Sequence, residues 1–122
     1  MGIDVLIVDD LTFIKMVLRD LVEKAGFRVV GEASDGEEAL RMYADKRPDI
    51  VLLDITMPKM DGLTALKKLL ALDPSARVIM CSALGQQRLI MEAIQLGAKD
   101  FIVKPFRPER VIGAIKKVLD IQ

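Results

Sequence analysis

The sequence contains no histidine, no tryptophan and only one cysteine, Cys81. The absence of histidine removes the commonest general base and the commonest metal-binding side chain. A single cysteine can form neither an internal disulfide bond nor a zinc site built from several thiolates. Any chemistry that this chain performs must therefore use carboxylates, hydroxyls and lysines.

The chain also lacks an excess of charge of either sign, since 18 Lys and Arg residues balance 18 Asp and Glu residues. A neutral chain has no overall field to attract a polyanion, so we expect no nucleic-acid partner. No apolar run approaches the roughly 18 residues that suggest a membrane span, and residues 1–4 do not begin a secretory signal. We therefore expect a cytoplasmic protein without membrane insertion.

The length of 122 residues and the hydrophobic content of 52% fit one domain with a core of its own. We find no linker, low-complexity tract or internal repeat in the sequence. The expected organisation is a single domain over residues 1–122.

Five short segments are predicted to be β-strands. Four are apolar without polar alternation, which is typical of parallel strands that are buried on both faces. The fifth, residues 28–33, is more polar and is predicted at the edge of the sheet. The four apolar segments are residues 5–8, 50–53, 78–81 and 101–103.

Between the strands, apolar residues recur with the spacing of α-helices. Asp35 and Glu38 have capping-box spacing, Gly26 and Gly97 suit helix C-terminal ends, and Pro108 suits a first helical turn. Strict alternation of strand and helix predicts a flavodoxin-like, doubly wound parallel sheet with five helices, a three-layer α/β sandwich. The buried stripe predicted for the first helix is Met16, Val17, Leu21 and Val22.

A polar residue follows almost every apolar strand at once: Asp9 and Asp10, then Asp54, Ser82 and Lys104. In open parallel sheets, ligands bind outside the carboxyl ends of the strands, where the strand order reverses. Acids after the first and third strands suggest that these strands are neighbours at that point. The predicted strand order is therefore 2-1-3-4-5.

Three converging carboxylates repel one another unless a cation joins them. Oxygen ligands without histidine or thiolate favour Mg²⁺. Lys104 and Ser82 suit an anion as a point charge and a hydroxyl donor. Asp54 can then act as a nucleophile that forms an aspartyl phosphate, while metal and lysine neutralise charge on the phosphoryl oxygens.

Three segments resemble response-regulator receiver domains, and the resemblance covers the whole chain. They are VLIVDD at residues 5–10, DITMPKMDG at 54–62 and FIVKPF at 101–106. Within that family, residues 81–87 and the helix start at residues 11–13 look most like stand-alone chemotaxis regulators of the CheY type.

The resemblance implies that Asp54 accepts a phosphoryl group from a sensor histidine kinase, here a chemotaxis kinase. It implies that Asp10 ligates Mg²⁺ directly and that Asp9 does so through water or as a second ligand. Asp54 itself and the backbone carbonyl of Thr56 would complete the protein's share of the metal site.

The resemblance further implies that Ser82 bonds the phosphoryl group, that Lys104 pairs with it, and that Phe101 changes rotamer as the hydroxyl is drawn inward. It also implies a cis peptide bond between Lys104 and Pro105. A monomeric receiver without an output domain would act through the face of helix four, strand five and helix five. The implied partners are a flagellar motor switch protein and a phosphatase, besides the kinase. Candidate exposed residues on that face are Gln87, Arg88, Met91, Gln95, Lys99 and Lys117.

Other interpretations stay open at this point. Each acid taken singly suits a helix cap or a turn. Within the same class, the chain would suit a single-domain phosphorelay intermediate. A Mg²⁺-dependent phosphatase is disfavoured, because haloacid-dehalogenase-type enzymes carry a second aspartate two residues after the nucleophile, where this chain has Thr56. A module that binds without phosphorylation is disfavoured by the full set of acids, hydroxyl and lysine. We therefore expect a phosphoacceptor protein rather than an enzyme.

Overall fold

A parallel sheet forms the centre of the structure, a computed structural model that describes residues 2–122. Within these residues the sheet has five strands in the order β2-β1-β3-β4-β5. This confirms the predicted order and the edge position of β2. The strands are β1 (Asp4–Val8), β2 (Arg28–Ala33), β3 (Ile50–Asp54), β4 (Val78–Ser82) and β5 (Asp100–Val103).

Helices cover both faces of the sheet. They are α1 (Thr12–Lys24), α2 (Gly36–Lys46), α3 (Gly62–Leu72), α4 (Gln87–Leu96) and α5 (Pro108–Leu119). Buried residues of α1 and α5 pack on one face, and those of α2, α3 and α4 pack on the other. The predicted three-layer sandwich is confirmed. No helix in the described part of the chain is long and apolar enough to cross a membrane.

The central strands are apolar between their polar end residues because each of their faces meets a layer of helices. In β1, for example, Leu6 and Val8 belong to the core beneath α2, α3 and α4, whereas Val5 and Ile7 belong to the core beneath α1 and α5. All four side chains are at most 1% exposed. Side chains that alternate in direction are therefore buried on both sides, which removes any reason for polar alternation.

The predicted start and end signals of the helices are confirmed. Asp35 caps α2 by accepting a hydrogen bond from the Glu38 N–H at 2.9 Å, and the Glu38 side chain accepts one from the Ser34 N–H at 2.7 Å. The reciprocal bond thus reaches one residue further back than the usual capping box. Gly97 ends α4 with a φ of 125°, a left-handed conformation that favours glycine.

The stripe predicted for α1 is wrong at Met16, which is 62% exposed. Leu18, which the prediction omitted, is buried together with Val22 one turn later. The inward side of the helix also carries Lys15, which is 8% exposed and donates a hydrogen bond to Ser34 Oγ at 2.6 Å. Because Lys15, with the partly buried Ser34 as its partner, occupies an inward position, apolar spacing alone predicts the wrong rotation of the helix.

Gly62 lies where α3 begins against the end of β3. Its N–H donates to the Ile55 carbonyl oxygen at 2.7 Å. A Cβ atom at this position would lie 2.2 Å from the Asp54 carbonyl oxygen and 2.6 Å from the Ile55 Cα. The contact therefore requires glycine, and it joins the start of α3 to the backbone of Asp54.

We expect Gly62→Ala to lower the free energy of unfolding by about 2 kcal/mol or more, because the added methyl group meets backbone that cannot move aside. Urea denaturation measures the change. Gly113→Ala is the matched control, since a Cβ there would meet nothing within 4 Å in the described structure. That substitution, in an exposed part of α5, should leave stability unchanged or raise it by up to about 1 kcal/mol. Equal effects of the two substitutions would contradict the steric argument.

Candidate functional site

The polar residues singled out in the sequence lie together at the carboxyl ends of neighbouring strands. Asp9 and Asp10 directly follow β1, Asp54 ends β3, and Ser82 ends β4. Parallel pairing aligns these ends, since Val8 pairs with Leu53 and Asp54 pairs with Cys81. The site therefore forms at the point where β1 and β3 meet, as the sequence predicted.

Three carboxylates converge at this point. One oxygen atom from each of Asp9, Asp10 and Asp54 lies within 4.8 Å of the other two. Asp9 is fully buried and Asp54 is 4% exposed, whereas Asp10 is exposed to solvent. Such a group could hold a metal ion, with two ligands from inside the protein and one from its surface.

Lys104 supplies positive charge between the two buried acids. Its Nζ lies 3.1 Å from Asp9 Oδ2 and 3.3 Å from Asp54 Oδ1. Burial lowers the pKa of Lys104, but the charges of Asp54 and Asp9 more than offset this, so the pKa is raised overall. The lysine is therefore a fixed ammonium at neutral pH. The predicted cis bond between Lys104 and Pro105 is confirmed.

The surroundings of Asp54 raise the pKa of its carboxyl group. Burial and then the charge of Asp9 raise its pKa from an ordinary 3.8 to about 6, against the opposing effects of Lys104 and a hydrogen bond from the Thr56 N–H. At neutral pH the group is thus ionised in a site that opposes its charge. A further cation at this point would relieve the repulsion.

Two buried oxygen atoms make no hydrogen bond with any residue from 2 to 122: Asp9 Oδ2 and Ser82 Oγ. Asp9 Oδ2 is at ion-pair distance from Lys104 but outside hydrogen-bond geometry, so the contact is an ion pair without a hydrogen bond. The other Asp9 oxygen accepts the Leu11 N–H at 2.9 Å, which orients the carboxylate.

A buried hydroxyl without a hydrogen bond is costly, by about 1–3 kcal/mol, so Ser82 Oγ points to a missing partner. An acceptor oxygen would satisfy that hydroxyl, and a cation would add to the ion pair that the Asp9 oxygen makes with Lys104. Carboxylates alone, without a nitrogen or sulfur ligand, fit Mg²⁺ by the chemistry of the donor set. The residues present therefore fit the ion that the sequence predicted.

Two further predicted residues lie beside this cluster rather than in it. Thr56 is exposed in the loop after β3, and ligation of metal by its carbonyl stays a prediction. Phe101 lies on β5 opposite Met80 and is partly buried. Its side chain borders an apolar groove of about 360 Å³, which Ile90 and Met91 of α4 also line.

The sequence analysis missed Gln86. Its Oε1 accepts the Ala83 N–H at 2.8 Å, and its Nε2 donates to Thr56 Oγ1 at 2.8 Å. The side chain thus connects the loops that follow β3 and β4. No motif marks this residue, because a loop glutamine has no local pattern that separates it from an ordinary surface residue.

Comparison with known proteins shows the family to which the chain belongs. The family model described as the response regulator receiver domain matches residues 5–116. The chain belongs to the response-regulator receiver family. The predicted resemblance is confirmed, and the receiver is a signalling domain closely related to chemotaxis regulators.

The similar curated proteins are chemotaxis regulators. The chemotaxis protein CheY of Thermotoga maritima is 55% identical over 118 residues, which cover 97% of this chain and 98% of that protein. CheY of Bacillus subtilis is 54% identical over 116 residues, with 95% and 97% covered.

Among solved structures, the CheX–CheY–BeF3–Mg²⁺ complex from Borrelia burgdorferi contains a chain that is 45% identical to this receiver. It matches with a TM-score of 0.90 and covers 94% of this chain and 87% of that chain.

The raised pKa of Asp54 predicts a pH-dependent effect of Asp54→Asn. The folded protein binds the Asp54 proton more tightly than the unfolded chain, so this group lowers wild-type stability as pH rises from about 4 to about 6. Without divalent metal at pH 8, we expect Asp54→Asn to be more stable than wild type by on the order of 2 kcal/mol. The difference should shrink toward pH 4, as urea denaturation in a chelator would show.

Asp45→Asn is the control for this prediction, because Asp45 is an exposed acid on α2. Its substitution should produce no comparable difference between pH 8 and pH 4. A stability gain for Asp54→Asn that is the same at both pH values would show that charge on Asp54 is not its cause.

Proposed function

We propose that this chain acts as a single-domain response regulator, over residues 1–122, whose Asp54 accepts a phosphoryl group from a sensor histidine kinase. The observation that carries the proposal is the placement of Lys104 Nζ between the buried carboxylates of Asp9 and Asp54. Ser82, at the end of the neighbouring strand β4, has a buried hydroxyl that makes no hydrogen bond with residues 2–122. An anionic phosphoryl group bound to Asp54 would find both a positive charge and a donor at this position.

Asp9, Asp10, Asp54 and the carbonyl of Thr56 would hold Mg²⁺. When bound, the ion would neutralise charge on the carboxylates and on the phosphoryl oxygens. Support comes from the convergence of the three acids and from the Mg²⁺ and BeF3 in the similar CheY complex.

Asp54, Lys104 and Ser82 would have separate roles in phosphoryl transfer. Asp54 is the nucleophile: at neutral pH, above its pKa of about 6, it is ionised, and its oxygen forms a bond to phosphorus as the bond from phosphorus to the histidine nitrogen breaks. Lys104 pairs with the phosphoryl oxygens and stabilises their charge in the transition state. Ser82 donates its hydroxyl hydrogen to one of those oxygens.

The protein would thus assist its own phosphorylation and dephosphorylation without acting on another substrate. A phosphatase with an aspartyl intermediate needs an acid to protonate the leaving group. The residue two positions after Asp54 is Thr56, whose hydroxyl accepts a hydrogen bond from Gln86. This position therefore supplies no carboxylic acid for that role.

The output surface would be the face formed by α4, β5 and α5. As Ser82 moves toward the phosphoryl group, Phe101 changes rotamer and the adjacent groove changes shape, which shifts affinity for a partner. The residues expected on this face are all exposed: Gln87, Arg88, Met91, Gln95, Lys99 and Lys117.

The identity to CheY proteins over nearly the whole chain supports a flagellar motor switch protein as the output partner and a chemotaxis kinase as the phosphate donor. The similar CheY was solved in a complex with CheX, which supports a third protein partner, and we propose that this partner is the phosphatase that the resemblance implies. A monomer suffices for these contacts, because the site is complete within one chain.

Incubation with acetyl phosphate and Mg²⁺ tests the phosphoacceptor. We expect wild type to gain one phosphoryl adduct in its intact mass, and Asp54→Asn to gain none. Asp45→Asn, the exposed control acid, should label like wild type. Chelation of Mg²⁺ should abolish labelling, because without the ion the carboxylate charges go unneutralised.

An adduct that persists in Asp54→Asn would place the phosphoacceptor elsewhere. The absence of any adduct on wild type, together with no response to beryllofluoride, would instead favour a module that binds its partner without phosphorylation.

The substitution Met91→Asp places a charge in the groove and tests the proposed output surface. Met91 is 64% exposed and lines the groove. We expect phosphorylated Met91→Asp to bind the motor switch protein at least about tenfold more weakly than wild type, because an acid in an apolar contact must be desolvated. Calorimetry measures the affinity.

Leu72→Asp is the matched control, since Leu72 is an exposed apolar residue at the end of α3, outside the proposed face. It should bind the switch protein like wild type, and both variants should label normally with acetyl phosphate. Equal weakening by both substitutions would count against a specific surface at α4 and β5.

A further inference from the structure

The amide of Gln86 uses both of its ends to join two loops at the site. The Ala83 N–H can only donate, so the atom that faces it is the amide oxygen, at 2.8 Å. The amide nitrogen must then face Thr56 Oγ1, also at 2.8 Å. The two bonds orient the side chain without ambiguity, and each has an ordinary hydrogen-bond length.

This bridge does nothing for the helix that Gln86 begins. Gln86 occupies the N-cap position of α4, where Ser, Thr, Asp or Asn usually accepts a hydrogen bond from the first helical turn. Its side chain makes no such bond to α4 among residues 2–122 and turns back toward the strands instead. A role in capping therefore does not explain the contact.

Both anchors of the bridge lie next to groups of the reacting site. Ala83 directly follows Ser82, whose buried hydroxyl makes no hydrogen bond with residues 2–122. Thr56 lies two residues after Asp54, and its backbone N–H lowers the pKa of the Asp54 carboxyl group. Movement of Ser82 toward Asp54 would thus carry one anchor with it, while the other remains beside the phosphoacceptor.

We propose that Gln86 is a positioning residue that latches the loop after β4 in its unphosphorylated arrangement. A phosphoryl group brings acceptor oxygens that need donors. The donors at the end of β4 are the Ser82 hydroxyl and the Ala83 N–H, and the second is already engaged by Gln86. Binding of the phosphoryl group therefore competes with the latch, and part of its binding energy is used to open it.

This proposal rests on the proposed function, and beryllofluoride tests it apart from that function. Beryllofluoride with Mg²⁺ mimics the bound phosphoryl group and undergoes no hydrolysis, so access of water to the site does not enter the measured affinity. We expect Gln86→Ala to bind beryllofluoride about fivefold more tightly than wild type, the factor that one net hydrogen bond supplies. Amide NMR titration measures the dissociation constants.

Glu92→Gln is the control, because Glu92 is an exposed residue of the same helix whose side chain forms no hydrogen bond or ion pair in the described structure and was not placed on the output face. It should bind beryllofluoride like wild type. Hydrogen exchange of the Ala83 amide supplies a readout that general destabilisation would not single out. That amide should be protected in wild type and Glu92→Gln and lose protection in Gln86→Ala.

Substitution of the second anchor separates the latch from other effects of residue 86. Thr56→Val keeps the shape but loses the hydroxyl, so it should also tighten binding, and it should add little when combined with Gln86→Ala. Thr56→Ser restores the hydroxyl and should behave like wild type. Additive effects of the two substitutions would overturn the bridge as one unit.

The remaining outcomes distinguish the two proposals. If wild type binds beryllofluoride and Gln86→Ala binds it equally or more weakly, the latch is wrong and the proposed function stands. If wild type itself fails to bind beryllofluoride, the proposed function falls, and the latch falls with it.

Discussion

The structure depends on two buried carboxylates, those of Asp9 and Asp54, held side by side at the ends of neighbouring strands. Burial and the charge of Asp9 oppose ionisation of Asp54, and the ammonium of Lys104 brings one positive charge against the two carboxylates. The negative charge that remains at the site favours the binding of a further cation. An acyl phosphate formed there would in turn replace one carboxylate charge with a group that Lys104 and Ser82 can both contact.

Such an arrangement needs a rigid support, because carboxylates that repel each other would otherwise move apart. The central strands supply it, since they are buried on both faces and pair in parallel register up to the site itself. Gly62 adds a second constraint, because its close approach to the Asp54 carbonyl holds the start of α3 against β3. The repulsion between the carboxylates is therefore offset by the packing of the central strands and of Gly62 beneath the site.

The loop after β4 connects the carboxylate site with the apolar groove beside Phe101. Ser82 at its start is buried beside the carboxylates, whereas Leu84 within it is 80% exposed and lines the apolar groove with Phe101. One short segment thus begins at the carboxylate site and continues to the groove. The Gln86 bridge holds Ala83, which lies between Ser82 and Leu84, and so the bridge would affect the equilibrium between the two arrangements of this loop.

Local patterns in the sequence determined the strands, their order and the residues of the site. Asp9, Asp54, Ser82 and Lys104 were predictable because each follows an apolar strand, and parallel strands align their carboxyl ends by geometry alone. The resemblance to receivers added the cis bond at Lys104, which has no other signal in the residues.

Tertiary structure alone decided features that depend on partners distant in sequence. The rotation of α1 was mispredicted because Lys15 is directed inward to Ser34, so that Met16 is exposed. The bridge from Gln86 to Thr56 joins residues 30 positions apart, and only the folded sheet brings them together. The raised pKa of Asp54 likewise exists only once burial and neighbouring charge act on it at the same time.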